Sequence, residues 1–217
     1  MSHSLLPTLP ARFVRLLRAF VILALAVPAL ASCYVPDDFL AEIRLARNGD
    51  YAMIFKGKLT WAPLWADIRS DKLTPEEVAE KIAQIQSDLQ RDTHFKSVES
   101  LGRGQFAVEY ERTGRFTGTR KVTFVRRSAE ILSMELRTTG EIHIRTRNDP
   151  KLDMQNQLAA NGLNNRGRLR VITNTAVVLH NAQGTAEGGL PGFPDYTIYD
   201  WTITSSTKPM PMLIARL

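Results

Sequence analysis

The stretch FLAEIRLARNGDYAMIF, Phe39 to Phe55, decides how the rest of the chain is read. Phe39, Ala41, Ile43 and Leu45 alternate with Leu40, Glu42 and Arg44, a period of two with one apolar face, as in a half-buried strand. Asn48-Gly49-Asp50 supplies residue types that reverse a chain tightly. Tyr51, Met53 and Phe55 then resume the alternation. The pattern predicts a β-hairpin over residues 38–60.

Working outward, Trp61, Leu64, Trp65 and Ile68 fall at i, i+3, i+4 and i+7, with Pro63 in the first turn, where its missing N–H does no harm. A short helix is expected there. Thr74-Pro75-Glu76-Glu77 reads as a capping box opening a longer helix to about Gln90, with Val78, Ile82, Ile85 and Leu89 on its buried face. From Phe95 strand signals return: Phe106, Val108 and Tyr110; Val122 and Phe124; Ile131 to Arg137; Ile142 to Thr146; Gly167 to Thr173; Val177 to Leu179; Tyr196 to Thr204; Met212 to Ala215. A weak helix is expected over Asp153 to Leu163, and Gly184 to Pro194 reads as a mobile loop. Together these predict an α+β domain. Its sheet should be predominantly antiparallel and curled, sandwich- or barrel-like, with the helix from Thr74 to Gln90 covering one face.

The chain has 217 residues, 44% hydrophobic and 23% charged, enough for one packed core. Net charge is +6, and half of that excess comes from Arg12, Arg15 and Arg18, in an N-terminal stretch without acids. The remaining balance is too mild for a nucleic-acid binder. After those arginines, Ala19 to Ala31 is uncharged but shorter than the roughly 20 residues a spanning helix needs. Leu30-Ala31-Ser32-Cys33 follows, and Cys33 is the only cysteine. The segment resembles the lipobox of bacterial lipoprotein precursors. That resemblance implies cleavage before Cys33 and acylation of its thiol, tethering the mature chain to a membrane. Residues 1–32 are then a signal peptide, 33–37 a lipid-anchored linker and 38–217 a single β-rich domain. Ala29-Leu30-Ala31 is also an A-x-A site, whose cleavage would release a soluble protein. The resemblance further implies that Tyr34 after the cysteine, in place of an aspartate, favours the outer membrane in a Gram-negative host.

Residues with obvious chemistry are sparse. His94, His143 and His180 lack metal-ligand spacing, no serine sits in a GxSxG context, and Gly102-Arg103-Gly104 is too short to cradle a phosphate and reads as a turn. No metal, no cofactor and no catalytic residue is expected. Asp37 and Asp38 read as solvating residues of the linker. Arg166, Arg168 and Arg170 occupy one side of a strand, as do His143, Arg145 and Arg147. If the two strands share a sheet, they build a basic face for lipid headgroups or an anionic glycan; otherwise they are a solvated face. Trp61 and Trp65 either line a lipid-facing surface or belong to the core.

Gly167-Arg168-Leu169-Arg170-Val171-Ile172-Thr173-Asn174, then Val177 to Ala182, then Tyr196 to Ile203 with Trp201, resembles the closing pattern of LppM-like bacterial lipoproteins. The resemblance implies a lipid anchor, an early hairpin, a β-rich domain with a covering helix, and a non-enzymatic envelope protein that binds lipid or glycolipid. It supplies no catalytic residues; His180-Asn181 is expected to satisfy turn backbone. The alternative is an assembly lipoprotein docking on another envelope protein, which should show an open strand edge; a third reading is a hydrolase, which should bring His94, His143 or His180 within reach of a carboxylate and a nucleophile in a cleft. A ligand binder should show a sizeable apolar cavity.

Overall fold

The computed structural model describes residues 34–126, 128–146, 159–160, 162–188, 191–204 and 209–217. All belong to one compact unit, Cys33–Leu217. The alternation predicted for the hairpin is realised in β1 (Tyr34–Leu45) and β2 (Asp50–Trp61), which pair antiparallel with Ile43 opposite Met53 and Ala41 opposite Phe55. Asn48 closes the turn, accepting from the Asp50 amide at 3.0 Å. The strand starts earlier than the pattern suggests. Tyr34 to Asp37 pair with Trp61 to Lys58, and Tyr34 and Val35 are buried. Residues 34–37 are therefore sheet and not linker. Pro36 and the two aspartates hid this, because they break the apolar alternation.

Two helices follow. α1 (Ala62–Arg69) opens with Pro63 in its first turn, and Leu64 is its buried residue. α2 (Pro75–Gln90) carries the predicted capping box: Thr74 Oγ1 accepts from the Glu77 amide, and Glu77 accepts from the Thr74 amide. Leu89 reaches the core, while Ile82 and Ile85 pack against its margin.

The strands continue as β3 (Phe95–Gly102), β4 (Gln105–Arg115), β5 (Arg120–Arg126), β6 (Ala129–Leu136), β7 (Glu141–Thr146), β8 (Gly167–Thr173), β9 (Ala176–His180), β10 (Gly184–Glu187), β11 (Thr197–Ile203) and β12 (Met212–Arg216). They form a seven-stranded sheet, β10-β11-β8-β1-β2-β4-β3, and a five-stranded sheet, β5-β6-β7-β12-β9. The inward residues of both make one core. Phe55 of the large sheet stacks on Phe124 of the small one with centroids 4.4 Å apart, and Tyr110 meets the same ring at 4.8 Å. Among the described residues the domain is a two-sheet sandwich with two complete helices. Pairing is antiparallel except between β1 and β8. Gln86 Nε2 donates to the Val98 carbonyl on β3, and Arg126 at the end of β5 donates to the Asp88 carboxylate and carbonyl, so α2 links the edge strand of each sheet.

Two further expectations change, and one lies outside what the structure describes. Gly184–Glu187, read as loop, is strand β10, because its backbone pairs with β11 whatever its side chains. The helix expected over residues 153–163 falls largely outside the described residues. Finally, β7 and β8, which carry the two arginine rows, belong to different sheets.

Phe39 fixes the end of the sandwich where β1 begins. On β2 a Cβ at Gly57 would lie 2.5 Å from Phe39 Cβ, and on β8 a Cβ at Gly167 would lie 2.5 Å from the Phe39 ring and carbonyl oxygen. Both neighbouring strands thus offer glycine where β1 is irregular between Asp37 and Leu40. The Phe39 ring turns inward and stacks on Phe55 at 5.3 Å.

Candidate functional site

At that same end an apolar pocket opens between the sheets. Phe39, Phe55, Leu132, Leu169 and Ile203 form its walls, and Thr146, Asn165 and Met210 also line it. The recess measures about 340 Å³ with its open mouth, but the space left inside is about 20 Å³, room for roughly one water. Among the described residues Thr146 Oγ1 and Asn165 Oδ1 are buried without a hydrogen-bond partner, an uncompensated cost in a protein interior. Beside the pocket lies a charged belt. Arg166 bonds Asp37 and Asp38, and Lys58 donates to Asp38 at 2.9 Å. The Lys58 bond holds the Asp38 carboxyl below the usual carboxylate range. Asp37 and Asp38 therefore join strand ends.

The other predicted positions separate. Arg168 and Arg170 share one carboxylate, Asp200 of β11, at 3.3 Å each, so their row is only partly neutralised. Arg145 is exposed on the other sheet and contacts His143 Nδ1 at 2.9 Å. Arg147 and Cys33 lie outside the described residues. A joint basic face from the two rows does not form, since β7 and β8 do not share a sheet. Trp61 is half-buried against the core, its ring 4.7 Å from that of Tyr34. Trp65 is half-buried, and its Nε1 has no hydrogen-bond partner among the described residues. Burial pushes the Tyr34 phenol up to about 12, against a smaller opposing pull from Arg126.

His94 and His143 bond nearby carboxylates, Asp92 at 2.6 Å and Glu141 at 3.4 Å. His180 Nδ1 accepts from the Ala182 amide. Among the described residues no cluster of three histidine, cysteine or acidic side chains could hold a metal. Asn181 has a structural task. Its Oδ1 accepts from Trp201 Nε1 and from the Met212 amide, each at 2.9 Å, and its Nδ2 donates to the Met210 carbonyl. It thereby ties β11 of one sheet to β12 of the other.

A second surface is an open strand edge. Among the described residues β9 ends the small sheet and pairs with β12 alone. Its Val178 and Leu179 are 46% and 52% exposed. The strand has no charge and no proline, two guards of an edge, although its pairing with β12 shifts register at Val178. The run Val177-Val178-Leu179 was visible in the sequence. Its edge position was not, because that depends on β12, more than thirty residues on, taking the inner place. Thr146 and Asn165 gave no pattern at all; only the fold brings them to one pocket.

No family model matches the sequence, and no curated relative does. Among solved structures, the folded domain of the Mycobacterium tuberculosis LppM protein, determined by NMR, aligns over 85% of this chain and 91% of its own length, at 10% identity and a TM-score of 0.39. A superposition that loose carries no argument about function.

Proposed function

We propose that the chain is a non-enzymatic envelope lipoprotein, tethered through acylated Cys33, that works by docking another envelope protein on the β9 edge. The open, uncharged edge with Val178 and Leu179 exposed supports this reading above the others. An extended partner segment would satisfy the free backbone groups of β9, and its apolar side chains would cover those two residues. A Gram-negative host would carry the protein on its outer membrane, given Tyr34 after the cysteine. The test is hydrogen exchange of the β9 amides in native envelope vesicles and in purified protein. The expected result is protection in vesicles that Leu179→Lys abolishes without moving the melting temperature. Equal, rapid exchange in both preparations refutes it.

The second reading is an envelope lipid or glycolipid held at the pocket, favoured by its apolar walls and by unpartnered Thr146 and Asn165. With about 20 Å³ inside, the sheet ends must part to admit an acyl chain. Extraction of non-covalent lipid from purified protein, followed by mass spectrometry, separates the readings. Stoichiometric lipid supports the pocket, and lipid-free protein with a protected β9 supports docking. The anchor has its own test: Cys33→Ala should shift the protein out of the membrane fraction, and unchanged retention with no loss of acyl label refutes the tether.

A further inference from the structure

The strand that follows Cys33 leaves it almost no slack. Tyr34 is already paired with Trp61, and the Trp61 amide donates to the Gly104 carbonyl at 2.9 Å. Two strand spacings of about 4.8 Å each therefore place Gly104 about 10 Å from Tyr34, and Cys33 is one Cα step of about 3.8 Å further along the chain. Whatever holds Cys33 also holds the β3–β4 turn close by.

That turn has an unusual build. Gly102, Arg103 and Gly104 all have positive φ, at 81°, 51° and 74°. L side chains rarely adopt this conformation, and glycine or asparagine would occupy the middle position more easily. Arginine stands there instead, exposed, and among the described residues it has no ion-pair partner. Leu101, just before it, is 51% exposed. The turn is braced from below: a Cβ at Gly104 would meet the Leu64 side chain of α1 at 3.3 Å. Within this short reach of the tether, an exposed leucine and an arginine with no ion-pair partner among the described residues sit at the tip of the turn, and Trp61 is half-buried.

We propose that the Leu101–Gly104 turn is a second, non-covalent membrane contact, with Leu101 entering the acyl boundary and Arg103 meeting headgroup phosphate. The inference rests on the acylated Cys33 of the reading above. Acyl chains supply the affinity, and one leucine adds little to it. The turn instead fixes orientation, setting the sandwich upright on the bilayer with the β1–β2 turn pointing away. β1 is 12 residues long, so that far end stands about 35–40 Å from the surface.

The test uses the full acylated protein reconstituted into vesicles of phosphatidylethanolamine and phosphatidylglycerol. Acylation blocks the native thiol, so Leu101→Cys and Thr138→Cys each give one labelling site for an environment-sensitive fluorophore. Thr138 serves as the distant control. It lies in the β6–β7 turn, whose Gly140 carbonyl accepts from Leu217, and the Leu217 side chain neighbours Gly49 of the β1–β2 turn. The expected result is a blue shift, with quenching by lipid-borne quenchers, at position 101 and none at 138, and a smaller shift when Arg103→Glu is added. Aqueous emission at position 101 in protein whose intact mass shows acylated Cys33 overturns the turn contact and leaves the tether standing. Equal shifts at both positions overturn it as well. An unmodified thiol in the intact mass overturns the tether and the contact together.

Discussion

Replacing Asn181 by alanine should loosen the seam between the two sheets. The side chain provides one acceptor to two donors and one donor to a carbonyl, all at 2.9 Å. One of those donors belongs to Trp201, which is 2% exposed. Alanine offers nothing in return, and stranding a buried donor costs about 1–3 kcal/mol. Asn181 is half-buried, so water can reach part of the site and moderate the loss. The expected destabilisation is about 2–4 kcal/mol. In a domain of this size that lowers the melting temperature by roughly 5–15 °C. Urea unfolding followed by far-ultraviolet circular dichroism measures it without relying on tryptophan emission. Trp201→Phe removes the donor at the other end of one bond, so the Asn181→Ala cost should shrink by about 1–2 kcal/mol in that background. Costs that add within about 0.5 kcal/mol, or a single-variant loss below about 1 kcal/mol, refute the idea that Asn181 clamps the sheets.

Gly57→Ala and Gly167→Ala should each destabilise the protein by more than about 2 kcal/mol, because the new methyl meets Phe39 backbone as well as side chain; thermal melts of the two variants check this, and a neutral result at both positions refutes the notch around Phe39. Thr74→Ala removes the side-chain half of the α2 capping box and should cost about 1 kcal/mol, read as a lower urea midpoint with an unchanged slope. The Arg115 hydrogen bond holds the Asp50 carboxyl below its ordinary range, so its stabilisation is present above that range and fades as pH falls through the depressed native value. The advantage of the native protein over Asp50→Asn should accordingly be fullest near neutrality and shrink in acid, measured as urea midpoints from pH 7 to pH 3. Burial raises the Tyr34 and Tyr110 phenols to about 12; spectrophotometric titration should find at least two tyrosines un-ionised at pH 11 in native protein, with stability falling as pH rises from 10 toward 12.

Local rules made much of the architecture legible. Alternation gave β1, β2 and β4, and the capping box placed the start of α2 at the right residue. Where several rules overlapped, as at Thr74 to Glu77, the reading was sharp. Where one was overridden, it failed: Pro36-Asp37-Asp38 look like a linker, yet Arg166 and Lys58 neutralise the acids and the backbone pairs regardless. Gly184–Glu187 lacks apolar residues, and only its pairing with β11 makes it a strand. The functional surfaces were the least legible part. Whether Arg145 and Arg168 lie together, or whether Val178 sits on an edge, depends on sheet order, and sheet order comes from pairings between segments far apart in the chain.

The lone parallel pairing has a consequence for biogenesis. β2 arrives a few residues after β1, but β8 begins about 120 residues later. At roughly 5–20 residues per second of synthesis, β1 waits about 6–24 s for its second neighbour. The small sheet is later still, because β12, which separates β7 from β9, is the last strand of the chain. Throughout that interval the row from Phe39 to Leu45 is flanked on one side only, and a holding factor met during synthesis would find its grip there.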